Sequence, residues 1–157
     1  MTKYVALLRG IMPSNPNMHQ KKLVKVFEEL RFNNVQAVIS SGNVIFSSTS
    51  KNISNLEAKI EKAWPEKLGF TSTTIIRSQN QLKKIIEKKP FGNSKFFKNN
   101  YMIVTFLKRG GELFNVIDTT SIKTSNIMTE LEKKHGKQIT TRTWQTVNRI
   151  FNKMQIN

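Results

Sequence analysis

The 157-residue chain contains no cysteine. That excludes a disulfide framework, a thiolate zinc site, a cysteine-ligated iron–sulfur cluster and a cysteine nucleophile. Histidine is nearly as scarce. His19 and His135 stand alone, without the H-E-x-x-H or two-histidine, one-carboxylate spacing of a metal site, so neither metal nor cofactor is expected. No apolar run approaches the roughly 18 residues of a membrane span. The opening "MTKYVALLRG" turns polar too soon for a secretory signal. No membrane partner and a cytoplasmic location are therefore the expectation. Acidic residues are short as well, ten against 26 basic ones, for a net charge of +16.

Such a field favours polyanions. Twenty of the basic residues are lysines and only six are arginines. Together with abundant Asn and Ile, this is what an AT-rich genome encodes. That bias would equally permit Asp and Glu, so it does not explain their shortage. Hydrophobic residues, 38% of the chain, fall in periodic blocks and indicate a globular protein. At this length roughly 68–70% of the unfolded surface is buried, enough to fold without a covalent staple.

"KYVALL", 3–8, reads as a buried strand. Leu23, Val26, Phe27 and Leu30 then fall at helical spacing, behind a capping box of Asn17 and Gln20. "VQAVIS", 35–40, and "VIFSS", 44–48, are strands joined by "SSGN", where Gly42 supplies the positive φ of a tight turn. A helix opening on Ser54 and Glu57 presents Leu56, Ile60, Ala63 and Trp64 to the core. "STTIIRS", 72–78, is a strand, and Ser78 with Gln81 caps a third helix carrying Leu82, Ile85 and Ile86. The order β-α-β-β-α-β over 3–78 predicts a ferredoxin-like antiparallel sheet with both helices on one face. Beyond it, strands at 101–108 and 113–118 form a hairpin across "RGGE", 109–112. Helices follow around 125–135 (Ile127, Met128, Leu131) and over 144–154 (Trp144, Val147, Ile150, Phe151, Met154). The expected class is α+β: a ferredoxin-like subdomain over 1–78 and a second α+β subdomain over 79–157, packed as one compact unit.

This topology brings the loop after the first strand and the Ser40–Asn43 turn to one end of the sheet. Arg9, Gly10, Asn17 at the expected helix start, Ser41, Gly42 and Asn43 then form a candidate anion-binding corner. The competing account is structural: Arg9 caps turn carbonyls and the glycines serve backbone geometry. Arg142, read as lying just ahead of the last helix, and Trp144 offer a platform for an aromatic ligand, or simply a helix docked by its tryptophan. Between 83 and 109, the basic residues Lys83, Lys84, Lys88, Lys89, Lys95, Lys98, Lys108 and Arg109 surround Phe91, Phe96, Phe97 and Tyr101, a pattern able to follow a nucleic-acid backbone and stack bases. "DTTSIKTSN", 118–126, lacks the Walker pattern and reads as a capped turn. For catalysis there is no G-x-S-x-G elbow. The acids read as surface glutamates paired with lysines, which leaves Asp118, at a strand end, as the carboxylate to watch.

"YVALLRGI" at 4–11, "SGNVIF" at 41–46, "KPF" at 89–91 and "TTRTWQTV" at 140–147 together resemble the domain-of-unknown-function 1697 family. The resemblance implies tandem ferredoxin-like subdomains and transfers no activity. Two departures stand out. The glycine-rich loop of many relatives is replaced by "GIMPSNPN", 10–17, whose prolines stiffen it. Only "KRGGE", 108–112, stands where relatives usually have a further helix and strand, which implies an abridged second subdomain and room for self-association. The functional expectation is a small binding module for an anionic ligand at Arg9, Ser41 and Asn43. The alternatives are a nucleic-acid-binding protein using 83–109, and a small enzyme acting on a phosphorylated or carboxylated metabolite.

Overall fold

The computed structural model describes residues 1–92, 100–118 and 126–156. The first half consists of β1 (Thr2–Leu8), a 3-10 turn (Pro16–Met18), α1 (Gln20–Glu29), β2 (Asn33–Ala37), β3 (Asn43–Ser48), α2 (Ile53–Leu68) and β4 (Thr74–Ser78). The second half consists of α3 (Gln79–Glu87), β5 (Asn100–Leu107), β6 (Glu112–Asp118), α4 (Ile127–His135), β7 (Ile139–Thr143) and α5 (Trp144–Met154). The first four strands form one sheet in the order β2-β3-β1-β4, each antiparallel to its neighbour, so β1 and β2 run parallel on either side of β3. A second antiparallel sheet has the order β6-β5-β7. The class is α+β.

β1 reads as a continuous apolar run because both its faces are covered. Tyr4, Ala6 and Leu8 face a cluster that α1 and α2 close with Leu23, Phe27, Ile60 and Trp64. Its aromatic rings pack at centroid distances of 4.7–5.9 Å, and the Trp64 Nε1–H donates to Thr74 Oγ1 at 3.0 Å. Val5 and Leu7 face the opposite cluster, where Leu82 and Ile85 of α3 and Val147, Ile150 and Met154 of α5 meet Val104 and Phe106 of β5. This second core draws on both halves of the chain.

A buried polar network joins the two sheets. The edge strand β4 directs two backbone N–H groups outward, and α2 caps both: Thr74 N–H donates to Glu61 and Ile76 N–H to Glu57, each at 2.9 Å. Carboxylates one helical turn apart thus occupy an edge that would otherwise invite another strand. Lys108 donates to both oxygens of Glu61. The Arg77 guanidinium donates to the carbonyls of Ile76, Leu107 and Gly111 at 2.7–3.1 Å and lies 3.9 Å from Glu112. Desolvation holds its pKa below the ordinary arginine value, opposed by Glu112 and Glu57.

Several sequence expectations are corrected. The Asn17/Gln20 capping box does not form: Asn15 caps the 3-10 turn opened by Pro16, and His19 Nδ1 caps α1 by accepting from Lys21 N–H. Asn52, not Ser54, caps α2, and Glu57 is buried among the core residues instead of serving the cap or the surface. β2 ends at Ala37, because Val38 turns to bond Asn43 and Ile39 adopts a left-handed conformation. Met128 is 45% exposed and outside the core. A strand not expected from the sequence, β7, occupies 139–143, so Arg142, just ahead of α5 as expected, belongs to a sheet. The Ser78/Gln81 box and the hairpin between β5 and β6 form as expected.

Candidate functional site

The parallel course of β1 and β2 carries the end of β1 and the β2–β3 turn to the same edge of the first sheet, where β7 and α4 of the second half meet them. A cleft of about 380 Å³ opens there, large enough for a small molecule. Arg9, Gly10 and Ser41 line one side, Met128, Glu132 and Thr141 the other, and Arg142 reaches it from β7. Four of the residues singled out from sequence therefore converge.

Arg142 is the centre of the arrangement. It is 9% exposed, and its five N–H groups meet five acceptors. Nε donates to Asn43 Oδ1 at 2.7 Å, Nη1 to Thr140 Oγ1 at 2.7 Å and the Thr141 carbonyl at 3.0 Å. Nη2 donates to the carbonyls of Leu8 at 2.8 Å and Gly42 at 3.3 Å. All five acceptors are neutral. Burial pushes the Arg142 pKa down to about 10, which still leaves it charged at pH 7. The side chain thus ties β7 to β1 and to the β2–β3 turn while placing positive charge, uncompensated by any carboxylate contact among the described residues, beneath the cleft.

Arg9 forms the wall. Its Nη1 donates to the Ile139 carbonyl at 3.0 Å, and its Nη2 lies 3.1 Å from Glu132 Oε1. Ser72 Oγ–H fixes the Arg9 carbonyl at 2.7 Å. The side chain remains 28% exposed, so this ion pair is a modest, exchangeable contact.

The turn opposite is held in an unusual shape. Asn43, almost fully buried, accepts from Arg142 and donates through Nδ2 to the Val38 carbonyl at 3.0 Å and to Ser41 Oγ at 3.3 Å. Between these bonds Ile39 sits at φ +57°, a left-handed conformation that a β-branched residue rarely adopts, at a cost of about 1–3 kcal/mol. Gly42 has φ +87°, and a Cβ there would lie 2.7 Å from Ile11 Cγ1 and 3.1 Å from Leu8 Cβ. Gly42→Ala is therefore expected to destabilise the fold by about 2 kcal/mol, combining backbone strain with a clash. Urea unfolding measures this directly, and a loss below a few tenths of a kcal/mol would mean that Ile11 moves aside and the turn relaxes to a conformation alanine adopts.

The other candidates lie elsewhere. Asn17 is exposed on the 3-10 turn, where its side chain accepts from Lys22. Asn43 and Gly42 act through Arg142 and do not line the cleft. Trp144 packs edge-on against Phe91, 5.2 Å between centroids, and belongs to the second core. Phe91 also meets Phe114 at 5.8 Å, so it is engaged within the protein. Lys83 lies 4.0 Å from Glu87 on α3, with Lys84 on the same helix and Lys88 and Lys89 at its end. Lys95, Lys98, Phe96 and Phe97, the side chains of Tyr101 and Asp118, and residues 119–125 lie outside the described residues. Among the described residues, no three His, Asp or Glu side chains are grouped to hold a metal, and no helix is long and apolar enough to cross a membrane.

Sequence reasoning missed the roles of Thr140 and Glu132. The alternation and β-branching of "ITTRT" were the available signal for β7; nothing local signals the approach of α4 to Arg9.

A family described as "Protein of unknown function (DUF1697)" matches residues 1–130, a span that ends before β7 and α5. No curated protein matches the chain. Among solved structures, a conserved bacterial protein from Streptococcus pneumoniae is similar at a TM-score of 0.80 and 19% identity, over 99% of this chain and 99% of its own. Likeness at that identity shows the fold alone.

Proposed function

This chain belongs to the DUF1697 family of proteins of unknown function, and since membership brings no activity with it, we propose from the cleft itself that the protein binds a small anionic ligand beside Arg9. One observation carries this reading: two guanidinium groups meet at a single cleft whose one acidic lining residue, among those described, is Glu132. A site with two cations and one carboxylate keeps positive charge for a ligand. The same scarcity of acids argues for binding over catalysis, because a general acid–base pair is not assembled there.

Titration of the labelled protein with inorganic phosphate and with acetate, followed by amide chemical shifts, tests the proposal. Shifts are expected at Leu8–Ile11, Ser41 and Ile139–Thr141. Arg9→Ala should weaken binding at least tenfold, since one charge-assisted hydrogen bond contributes roughly 1.5–3 kcal/mol. A joint Lys83, Lys84, Lys88 and Lys89 to Gln variant should bind as the parent does. Shifts that instead collapse in the lysine variant and fall steeply with salt would transfer the assignment to nucleic acid. Turnover of a phosphorylated or carboxylated compound, lost in Arg9→Ala, would make the site that of an enzyme.

A further inference from the structure

The cleft is more selective than its two arginines alone imply. Arg142 has committed all five donors to protein acceptors, so it offers a ligand its field and no hydrogen bond. Arg9 is the guanidinium that can reach a ligand, and Glu132 stands 3.1 Å from it. Arg9, Arg142 and Glu132 leave one net positive charge. A second negative charge on the ligand would face the Glu132 carboxylate without a further cation to balance it.

Two hydroxyls add to this pattern. Thr140 Oγ1 accepts from Arg142 and Ser41 Oγ accepts from Asn43. Each oxygen is already engaged as an acceptor, which leaves its proton to donate. Both residues line the cleft. Beside Gly10 and Thr141, the rest of its lining is apolar: Leu8, Ile11, Ile139 and the exposed Met128, whose flexible thioether adapts to an aliphatic partner.

On the reading that this cleft binds anions, we propose that its ligand is a monocarboxylate carrying an aliphatic chain, with the carboxylate on Arg9 and the hydroxyls and the chain along Ile11, Ile139 and Met128. Phosphate dianions are disfavoured by Glu132. The carboxylate competes with Glu132 for Arg9.

The test is calorimetric or chemical-shift titration of the full chain with hexanoate, 1-hexanol and inorganic phosphate, using the parent, Arg9→Ala and Glu132→Gln. The parent is expected to bind hexanoate at least tenfold more tightly than either phosphate or hexanol. Glu132→Gln should strengthen phosphate binding more than hexanoate binding and so narrow the gap. Phosphate binding that depends on Arg9 and equals or exceeds that of hexanoate overturns the monocarboxylate assignment and leaves the anion site standing. Hexanol binding equal to hexanoate, or no Arg9-dependent binding of any probe, overturns both.

Discussion

Arg142→Leu is expected to lower the melting temperature by on the order of 10 °C. Leucine fills part of the volume but carries no donor. The substitution leaves Asn43 Oδ1, Thr140 Oγ1 and the carbonyls of Leu8, Gly42 and Thr141 without the guanidinium. A buried acceptor left unpaired costs about 1–3 kcal/mol. The five losses do not add, because the Gly42 carbonyl keeps its bond from Leu8 N–H and the threonine hydroxyl can rotate. A net cost near 4 kcal/mol is reasonable, and each kcal/mol shifts the melting temperature of a chain this size by about 2–4 °C.

The opposing term is desolvation. Replacing a buried ion together with its partners by apolar groups can be neutral or stabilising. Here only the ion is removed and four of its five acceptors, Asn43 Oδ1 and the three carbonyls, cannot become donors, so the unpaired groups decide the sign. Arg142→Lys should fall between parent and leucine variant, since an ammonium offers three donors and no planar fork. Thermal unfolding of the three proteins measures the order. A leucine variant melting within about 2 °C of the parent would show that desolvation cancels the whole network.

Arg142 stood out in the sequence beside Trp144, but its role as the hub of the buried network did not, because of sequence distance. Its partners Asn43, Gly42 and Leu8 lie 99, 100 and 134 residues away. No periodicity within "TTRTWQTV" encodes them. β1, by contrast, was legible as a fully buried run, and the parallel course of β1 and β2 followed from the order of elements. That was enough to place Arg9, Gly10 and Ser41 at one corner. Asn17 was misplaced because Pro16 starts a separate 3-10 turn, moving the helix start to Gln20. Glu57 was read as a capping or surface acid, although it sits three residues before Ile60 and seven before Trp64, on the stripe that faces the core. Charge suggested solvent where position indicated burial. The compensating contact, the Ile76 N–H on an edge strand, appears only once the sheet is assembled.

Glu57 should accordingly make stability depend on pH in the direction opposite to most carboxylates. It is 3% exposed, and desolvation raises its pKa above 4.5 despite the Ile76 N–H and the nearby Lys108 and Arg77, which act to lower it. Between the unfolded value and the raised folded value, the native state binds more protons than the unfolded chain. Stability from this group is therefore present below about pH 4.5 and is lost as pH rises through the folded pKa. Glu57→Gln keeps an oxygen for Ile76 N–H and cannot ionise. The stability of the Gln variant relative to the parent should thus rise between pH 4 and pH 8, whatever its absolute offset. Glu29, whose pKa is lowered by its hydrogen bond to Lys67, works in the other direction, but it is common to both proteins and cancels in the difference. Glu57→Ala separates the two contributions: like Gln it cannot ionise, but it leaves the Ile76 N–H unpaired and a hole in the core, for a loss of about 3 kcal/mol relative to the Gln variant at every pH. Denaturant unfolding of the three proteins at pH 4, 6 and 8 measures both effects. A Gln-minus-parent difference that stays flat would mean that the Ile76 N–H, Lys108 and Arg77 cancel burial, and one that falls with pH would mean that they outweigh it, making Glu57 a stabilising partner in the inter-sheet network rather than a strained one.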